Sequence, residues 1–356
     1  MAEKVLVKGN EALGEAAIRG GCRYYFGYPI TPQSELTEYM SRRLPEVGGV
    51  FLQAESEVSV VNMLYGASCV GVRVMTSTSS PGFSLMQEGV SYMAGAELPA
   101  VFINVVRGGP GLGDIQPAQG DYLQATKGGG HGDYRLIVLG PSTIQEAIEL
   151  VMLAFDLADK YRTPVEVLAD GMIGQMMEPV EFPEMRSLNT LPEKPWSLTG
   201  AKGRKPNKIT SFDLDPYKLE EMNLRYEATR KRIIANEQRW EERNVKGADI
   251  LVAAYGTVGR IMKTVMELAK EEGINVGLFR PITLWPFPYE RLEELSKKVN
   301  TVLTVEMSGG QMLEDVKLAV KDNAATPFYG RMGGVVPTPE EILEQIEKII
   351  KGSESA

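Results

Sequence analysis

Residues 72–107 read VRVMTSTSSPGFSLMQEGVSYMAGAELPAVFINVVR, and this stretch decides the fold. Val72–Ser77 is rich in β-formers and predicts a strand. Ser79-Ser80-Pro81-Gly82 predicts a turn that opens a helix running to about Gly95, and Pro99–Val106 is an almost uninterrupted apolar run. Such a run suits a strand buried on both faces by flanking helices. A strand, a crossover helix and a second strand form a parallel unit. The same alternation extends in both directions. Upstream lie a helix to Arg19 with Asn10 as its cap, a strand at Arg23–Gly27, and a helix that starts with Thr31 as cap and Pro32 in the first turn. A strand at Val50–Gln53 and a helix at Glu55–Ser68 follow. Downstream lie Arg135–Leu139, the helix Thr143–Lys160 and Val165–Ala169. Repeated units of this kind predict a mostly parallel, doubly wound α/β sheet.

Beyond residue 180 the pattern changes. Pro and charged residues dominate to Asn207, which suits a surface crossing. Asp215-Pro216 then opens a charged helix predicted to reach about Arg243, with Leu219, Met222, Tyr226, Ile233 and Trp240 at helical spacing. A second α/β block begins at Ala248. It has a strand at Ile250–Ala254, a tight turn at Tyr255–Gly259 and a helix at Arg260–Glu272. Asn275–Phe279, Tyr289–Lys298, Thr301–Val305 and Glu340–Lys351 continue the alternation. The domains expected are 1–180, a linker with a charged helix at 181–247, and 248–356.

Composition narrows the chemistry. The 356 residues carry 38 Lys and Arg against 47 Asp and Glu, a formal net charge of −9. That balance argues against nucleic acid or an anionic membrane as partner. The N-terminal residues lack a signal-peptide core, and no apolar run reaches the ~18 residues of a membrane span, so a cytoplasmic protein is expected. Two cysteines, Cys22 and Cys69, supply neither a disulfide framework nor cluster ligands and read as core thiols. One histidine, His131, would have to carry any His-based metal site or Ser-His-Asp set. Set among glycines at 128–132, it can act as a proton carrier or as a plain loop hydrogen-bonder. Neither a phosphate loop nor a dinucleotide fingerprint follows the first strand, which weighs against a nucleotide-binding dehydrogenase.

Three side chains fall at the carboxyl ends of predicted strands, the rim where open α/β sheets bind ligands. Glu57, with Glu55, can complement the dipole of the helix it opens; followed by Val58, Val60 and Val61, it can also be a partly desolvated carboxylate suited to proton traffic. Thr31 is a cap or a ligand hydroxyl. Arg107 ends an apolar strand and needs an anionic partner, either a structural carboxylate or the carboxylate of a ligand. The loop with Gly108, Gly109, Gly111 and Gly113 can pack closely or nest an anion.

In order and spacing, Gly27-Tyr-Pro-Ile-Thr-Pro32, Gln53-Ala-Glu-Ser-Glu57, Thr76-Ser-Thr-Ser-Ser-Pro-Gly-Phe83 and Val101-Phe-Ile-Asn-Val-Val-Arg107 resemble the α subunit of the 2-oxoacid:ferredoxin oxidoreductases, which use thiamine diphosphate. The resemblance covers nearly the whole chain. Ala254–Gly259, Arg280–Pro286 and Val305–Gln311 resemble the transketolase C-terminal-type domain of that family. It implies two doubly wound domains, the first of the thiamine diphosphate-binding pyrimidine type. Glu57 matches the glutamate that hydrogen-bonds the aminopyrimidine ring and helps remove the thiazolium C2 proton. Thr31 and Arg107 match residues that bind the oxo and carboxylate groups of the substrate, and the resemblance also assigns Tyr28, Pro29 and Phe83, with Glu57, to the cofactor.

The implied reaction is CoA-dependent oxidative decarboxylation of a 2-oxoacid to acyl-CoA and CO2, with electrons passed to ferredoxin. Ala169-Asp170-Gly171 resembles part of a diphosphate and Mg²⁺ motif but has no downstream Asn pair. Two partners are therefore implied, a β subunit holding the diphosphate and Mg²⁺ and a subunit holding iron–sulfur clusters. The loop Gly108–Gly120 resembles the branched-chain (3-methyl-2-oxobutanoate) subgroup, with 2-oxoglutarate as the alternative substrate. A non-catalytic scaffold subunit of such a complex is the competing reading.

Overall fold

Val101–Val106 becomes a strand buried along its whole length, and the rest of the first block assembles around it. The computed structural model describes residues 4–353. In chain order the elements are β1 (Val5–Lys8), α1 (Gly9–Arg19), β2 (Tyr24–Gly27), α2 (Ser34–Glu46), β3 (Val50–Gln53), α3 (Glu57–Cys69), β4 (Val74–Thr78), α4 (Pro81–Gly95) and β5 (Ala100–Val106). There follow α5 (Tyr122–Lys127), β6 (Ile137–Leu139), α6 (Ile144–Tyr161), β7 (Pro164–Asp170), α7 (Gly171–Gln175) and β8 (Met177–Val180). After a 3₁₀ turn come α8 (Pro216–Asn236), β9 (Trp240–Arg243), β10 (Ile250–Ala253), α9 (Gly256–Glu271), β11 (Val276–Pro281) and β12 (Thr283–Trp285). The chain closes with α10 (Tyr289–Ser296), β13 (Val302–Glu306), α11 (Gln311–Val320), β14 (Phe328–Gly330) and α12 (Pro339–Ser353).

The large sheet has seven strands in the order β12-β6-β7-β5-β4-β2-β3. All are parallel except β12, which pairs antiparallel with β6. Every residue of β5 is buried, and each apolar side chain so placed contributes roughly 1.5–3 kcal/mol. On one face α1 packs against α2 and α6; on the other α3 packs against α4. The connection from β2 therefore leaves on one face and that from its neighbour β4 on the other. This is the switch point at which doubly wound sheets open a crevice. The second sheet has five strands in the order β14-β13-β10-β11-β9, with β9 alone antiparallel.

The two blocks are joined by more than a covalent link. β12 extends the first sheet although it follows β11 of the second. Gln119 donates from Nε2 to the Tyr255 carbonyl at 3.0 Å and accepts from the Met307 N–H at 2.9 Å. No helix among the described residues is long and apolar enough to cross a membrane.

Four local expectations change. Asn10 is not a cap: α1 starts two residues earlier than that cap requires, at Gly9 with Lys8 at the cap position, and Asn10 is fully buried with its amide turned to the Pro32 carbonyl and Glu35. Thr31 does not cap α2 either, because the helix starts at Ser34 with Gln33 before it. The charged helix ends at Asn236, and Trp240–Arg243, read as its last turn, is a strand. The strand pairing with β11 and the Glu241–Arg280 ion pair hold that segment on β11, and Glu242–Arg291 ties it to α10, so tertiary pairing overrides the helical spacing. Tyr255–Gly259 is not a free turn, since α9 already begins at Gly256.

Candidate functional site

The carboxyl ends of the parallel strands share one rim. Gly27 pairs with Gln53 at the ends of β2 and β3, and Thr78 with Asn104 near the ends of β4 and β5. Tyr28–Thr31, Ala54–Glu57, Ser79–Gly82 and Arg107 follow these strands directly, so the rim gathers all three sequence-predicted site residues.

Glu57 is the first residue of α3, fixed there by Ser56, whose hydroxyl accepts from the Ser59 N–H. The Glu57 side chain turns inward and is only 5 % exposed. It faces the start of α4: a Cβ on Gly82 would meet Glu57 Oε1 at 2.7 Å and Thr78 Oγ1 at 2.2 Å. Only glycine leaves that space open. Thr78 Oγ1 and Ser79 Oγ beside it are buried without a hydrogen-bond partner. Buried polar atoms are seldom left so, and such hydroxyls are free to bond a polar ligand. Glu55, by contrast, is exposed; the Ser59 hydroxyl donates to it at 2.6 Å and holds its carboxyl below the ordinary range.

Arg107 is buried at the end of β5. It finds no carboxylate in ion-pair distance among the described residues. Its guanidinium donates to the Thr31 carbonyl at 3.0 Å and the Leu112 carbonyl at 2.8 Å, and Nε is buried without a partner. Thr31 is thus brought to Arg107 through its backbone, with its own side chain exposed. The Ser80 hydroxyl, at the start of α4, accepts from the Arg107 N–H at 3.0 Å. Ser80 sits at φ 27°, a strained value for a non-glycine residue. Asn104 steadies it by accepting from the Ser80 N–H at 2.9 Å.

The Asn104 amide in turn donates to Asp121 at 3.0 Å and, more weakly at 3.4 Å, to Glu166. Burial pushes the Asp121 carboxyl above its ordinary range against the pull of Ser80, Asn104 and Arg107. Burial, reinforced by Asp121, raises the Glu166 carboxyl further. Asn104 carried no sequence signal, hidden as it is inside an apolar strand.

The remaining candidates divide. Phe83 is fully buried, its ring edge-on to Phe102 at 5.9 Å, and supports the start of α4 from within the core. Tyr28 is half-buried and Pro29 exposed on the loop before Thr31. In the glycine loop, a Cβ on Gly108 would press on Gly333 and one on Gly113 on the Gly108 carbonyl, whereas Gly109 and Gly111 face open space. Those two line a cleft of about 670 Å³ with Ser80, Asp121, Met307 and Met332. The Asp170 carboxylate is fully engaged, accepting from the Met172 and Ile173 N–H groups of α7 and the Thr257 hydroxyl of α9. His131 lies away from the rim, its carbonyl bonded by Ser91, nine residues and about 13 Å along α4 from Gly82. Cys22 and Cys69 are buried free thiols, and burial pushes Cys22 up to about 12. Among the described residues no group of three or more His, Cys, Asp and Glu could hold a metal ion.

A doubly wound parallel sheet with a buried carboxylate and a guanidinium at its switch point, coupled to a second α/β block, defines a class of ligand-binding α/β enzymes. Comparison with known proteins narrows that class. Residues 15–243 match the thiamine diP-binding family of pyruvate flavodoxin/ferredoxin oxidoreductases, and residues 248–342 match pyruvate:ferredoxin oxidoreductase core domain II. The chain is 49 % identical to the ketoisovalerate oxidoreductase subunit VorB of Methanothermobacter thermautotrophicus, covering 97 % of each chain. It is 35 % identical to the 2-oxoglutarate synthase subunit KorA of the same organism, over 98 % of this chain and 100 % of that one. The 2-oxoglutarate:ferredoxin oxidoreductase structure from Magnetococcus marinus superposes with a TM-score of 0.87 at 28 % identity, covering 98 % of this chain and 66 % of that one. This chain belongs to the 2-oxoacid:ferredoxin oxidoreductase family and is an oxidoreductase subunit of that family.

Proposed function

We propose that this chain supplies the pyrimidine-binding half of the thiamine diphosphate site in a cytoplasmic branched-chain 2-oxoacid:ferredoxin oxidoreductase. The observation that carries the reading is the recess around Glu57. A carboxylate 5 % exposed faces the buried, unpartnered Thr78 hydroxyl across a space kept open by Gly82, and the neighbouring Ser79 hydroxyl is also buried without a partner. These groups fit the ring nitrogens of an aminopyrimidine, with Glu57, the Tyr28-Pro29 loop and the α4 start that Phe83 supports holding the ring. When bound, thiamine diphosphate supplies the carbon nucleophile and electron sink that let a 2-oxoacid lose CO2. Glu57 holds a proton at the ring nitrogen; general acid–base help of this type is worth about 10²–10⁴-fold. Arg107 and Thr31 take the carboxylate and oxo groups of the substrate, and the unpartnered Arg107 Nε is an available donor.

Partner chains complete the reaction. With Asp170 engaged in capping α7 and α9, the diphosphate and Mg²⁺ fall to a β subunit. Two buried cysteines cannot ligate an iron–sulfur cluster, so clusters and the route to ferredoxin belong to partner subunits, and CoA takes the acyl group. The free buried thiols fit a reducing compartment. Residues 1–180 form the pyrimidine-binding domain, 181–247 the linker and 248–356 the second domain, with β9 and β12 tying the pieces together.

For the substrate, the cleft beside Ser80 and Gly108 has Asp121 as its one charged lining residue and apolar walls at Pro110, Met307 and Met332. A second carboxylate, as in 2-oxoglutarate, meets no cation there, whereas a branched hydrocarbon chain fits. The test is to purify the chain alone and in complex with its partners and to measure dye reduction with a panel of 2-oxoacids. The proposal expects an inactive isolated chain and a complex that prefers 3-methyl-2-oxobutanoate. Full activity of the isolated chain, or preference for 2-oxoglutarate, overturns it.

A further inference from the structure

Thr31 carries an exposed side chain on a short loop, so its aim is set by its backbone, and that backbone is gripped from below. Asn10 Nδ2 and Gln175 Nε2 converge on the Pro32 carbonyl at 2.8 and 2.9 Å. The same two amides donate to Glu35 Oε2 at 2.8 and 3.0 Å, and Lys8 Nζ donates to Glu35 Oε1 at 3.0 Å. One carboxylate thus orients both donors. Close packing holds the arrangement together. A Cβ on Gly9 would sit 1.7 Å from the Ile173 carbonyl, and one on Gly174 would sit 2.7 Å from Asn10 Oδ1, so α1 and α7 meet with no room for a side chain.

The next carbonyl along, that of Thr31, receives the Arg107 guanidinium at 3.0 Å. Two adjacent peptides are therefore fixed, one from the substrate side by Arg107 and one from behind by the amide pair. Glu57 is anchored separately through Ser56 and α3.

We propose that Asn10 and Gln175 are positioning residues for the 2-oxoacid: by clamping the Pro32 carbonyl they fix Thr31 and the donor direction of Arg107. This rests on the role assigned to Thr31 and Arg107 under the proposed function. The clamp acts on the substrate end of the site and leaves the cofactor end alone. Its loss therefore raises KM for the oxoacid without weakening thiamine diphosphate.

Gln175 is exposed, so its replacement leaves the fold intact. In the assembled complex, Gln175→Ala is expected to raise KM for 3-methyl-2-oxobutanoate about fivefold, the equivalent of one hydrogen bond. The kcat and the half-saturation by thiamine diphosphate stay within about twofold. Gln175→Lys, whose ammonium donates to the Pro32 carbonyl and pairs with Glu35 but lies beside Lys8, recovers part of the lost KM. Gln175→Glu can pair with Lys8 but cannot donate to the Pro32 carbonyl at neutral pH, and is no better than Ala. An unchanged KM in all three, equal damage from Lys and Glu, or a loss of kcat and cofactor affinity in place of the KM effect overturns the clamp. Glu57→Gln assayed in parallel separates the two claims. Its full activity defeats the proposed function, whereas an inactive Glu57→Gln beside unaltered Gln175 variants defeats only the clamp.

Discussion

Gly82→Ala inserts one methyl group into the recess that Glu57 faces, and its consequences follow from three distances. The new Cβ would lie 2.2 Å from Thr78 Oγ1, 2.7 Å from Glu57 Oε1 and 3.2 Å from Glu57 Cγ. Ordinary contact begins near 3.4 Å, so the Glu57 carboxylate and the Thr78 hydroxyl must withdraw by about 1 Å. The backbone itself accepts alanine, because Gly82 is not among the residues with positive φ. Overpacking costs about 1–3 kcal/mol, offset by up to about 1 kcal/mol of helix propensity, which leaves a net loss of about 0–3 kcal/mol. Activity is far more sensitive, since a misplacement of about 1 Å at a reacting group costs on the order of 10²-fold. The assay is dye-linked oxidation of 3-methyl-2-oxobutanoate by the assembled complex, with thiamine diphosphate titrated and thermal unfolding measured alongside. Gly89→Ala is the matched control: its Cβ would strike Val61 at 2.4 Å in the same α3–α4 contact, two helical turns along α4 from Gly82. Gly82→Ala retaining activity within fivefold of the wild type, or Gly89→Ala losing as much, would refute the reasoning.

Two further substitutions probe the frame that presents the site. Gln119→Ala strands the buried Met307 N–H and takes one of two donors from the Tyr255 carbonyl, which keeps the Gly259 N–H, and is expected to lower stability by about 1–3 kcal/mol in urea unfolding, with the blocks separating more readily. The bidentate Arg291 contact, at 2.6 and 2.8 Å, holds the Glu242 carboxyl below its ordinary value of 4.5. A depressed folded value means that the ionised pair stabilises above pH 4.5 and that this contribution fades as pH falls through the lowered value. Glu242→Gln is therefore expected to cost about 1 kcal/mol at pH 7, and its stability curve should converge with that of the wild type on acidification.

Legibility in the sequence tracked how much of an element's stability is local or general burial. β5 and α4 were readable from an apolar run and a Pro at the helix start, and β3 fell at Val50–Gln53 as expected. β1 and β8 were not, since each is four residues long and exists through pairing with the other, about 170 positions away. β12 and β14 are short edge strands of the same kind. α11 escaped because no capping residue precedes it. Glu306, at the end of β13, reaches its Met312 and Leu313 N–H groups instead.

The rim position of Glu57, Thr31 and Arg107 was legible because strand ends can be read from the sequence. The support beneath them was not. Asn104 reads as part of an apolar strand, and Asn10 reads as a cap. The network in which Gln33 Oε1 accepts from Thr37 and Ser77, with Tyr25 bridging the two hydroxyls, appears only when α2 lies over β2 and β4.

In the proposed function Glu57 serves the bound cofactor and not merely the first turn of α3. Glu57→Gln keeps the size and helix position of the side chain and removes its charge. Measured in the assembled complex, turnover of 3-methyl-2-oxobutanoate should fall by at least about 100-fold with assembly and thermal stability preserved. Near-normal turnover would contradict the account and leave Glu57 as a helix-dipole residue in a scaffold subunit.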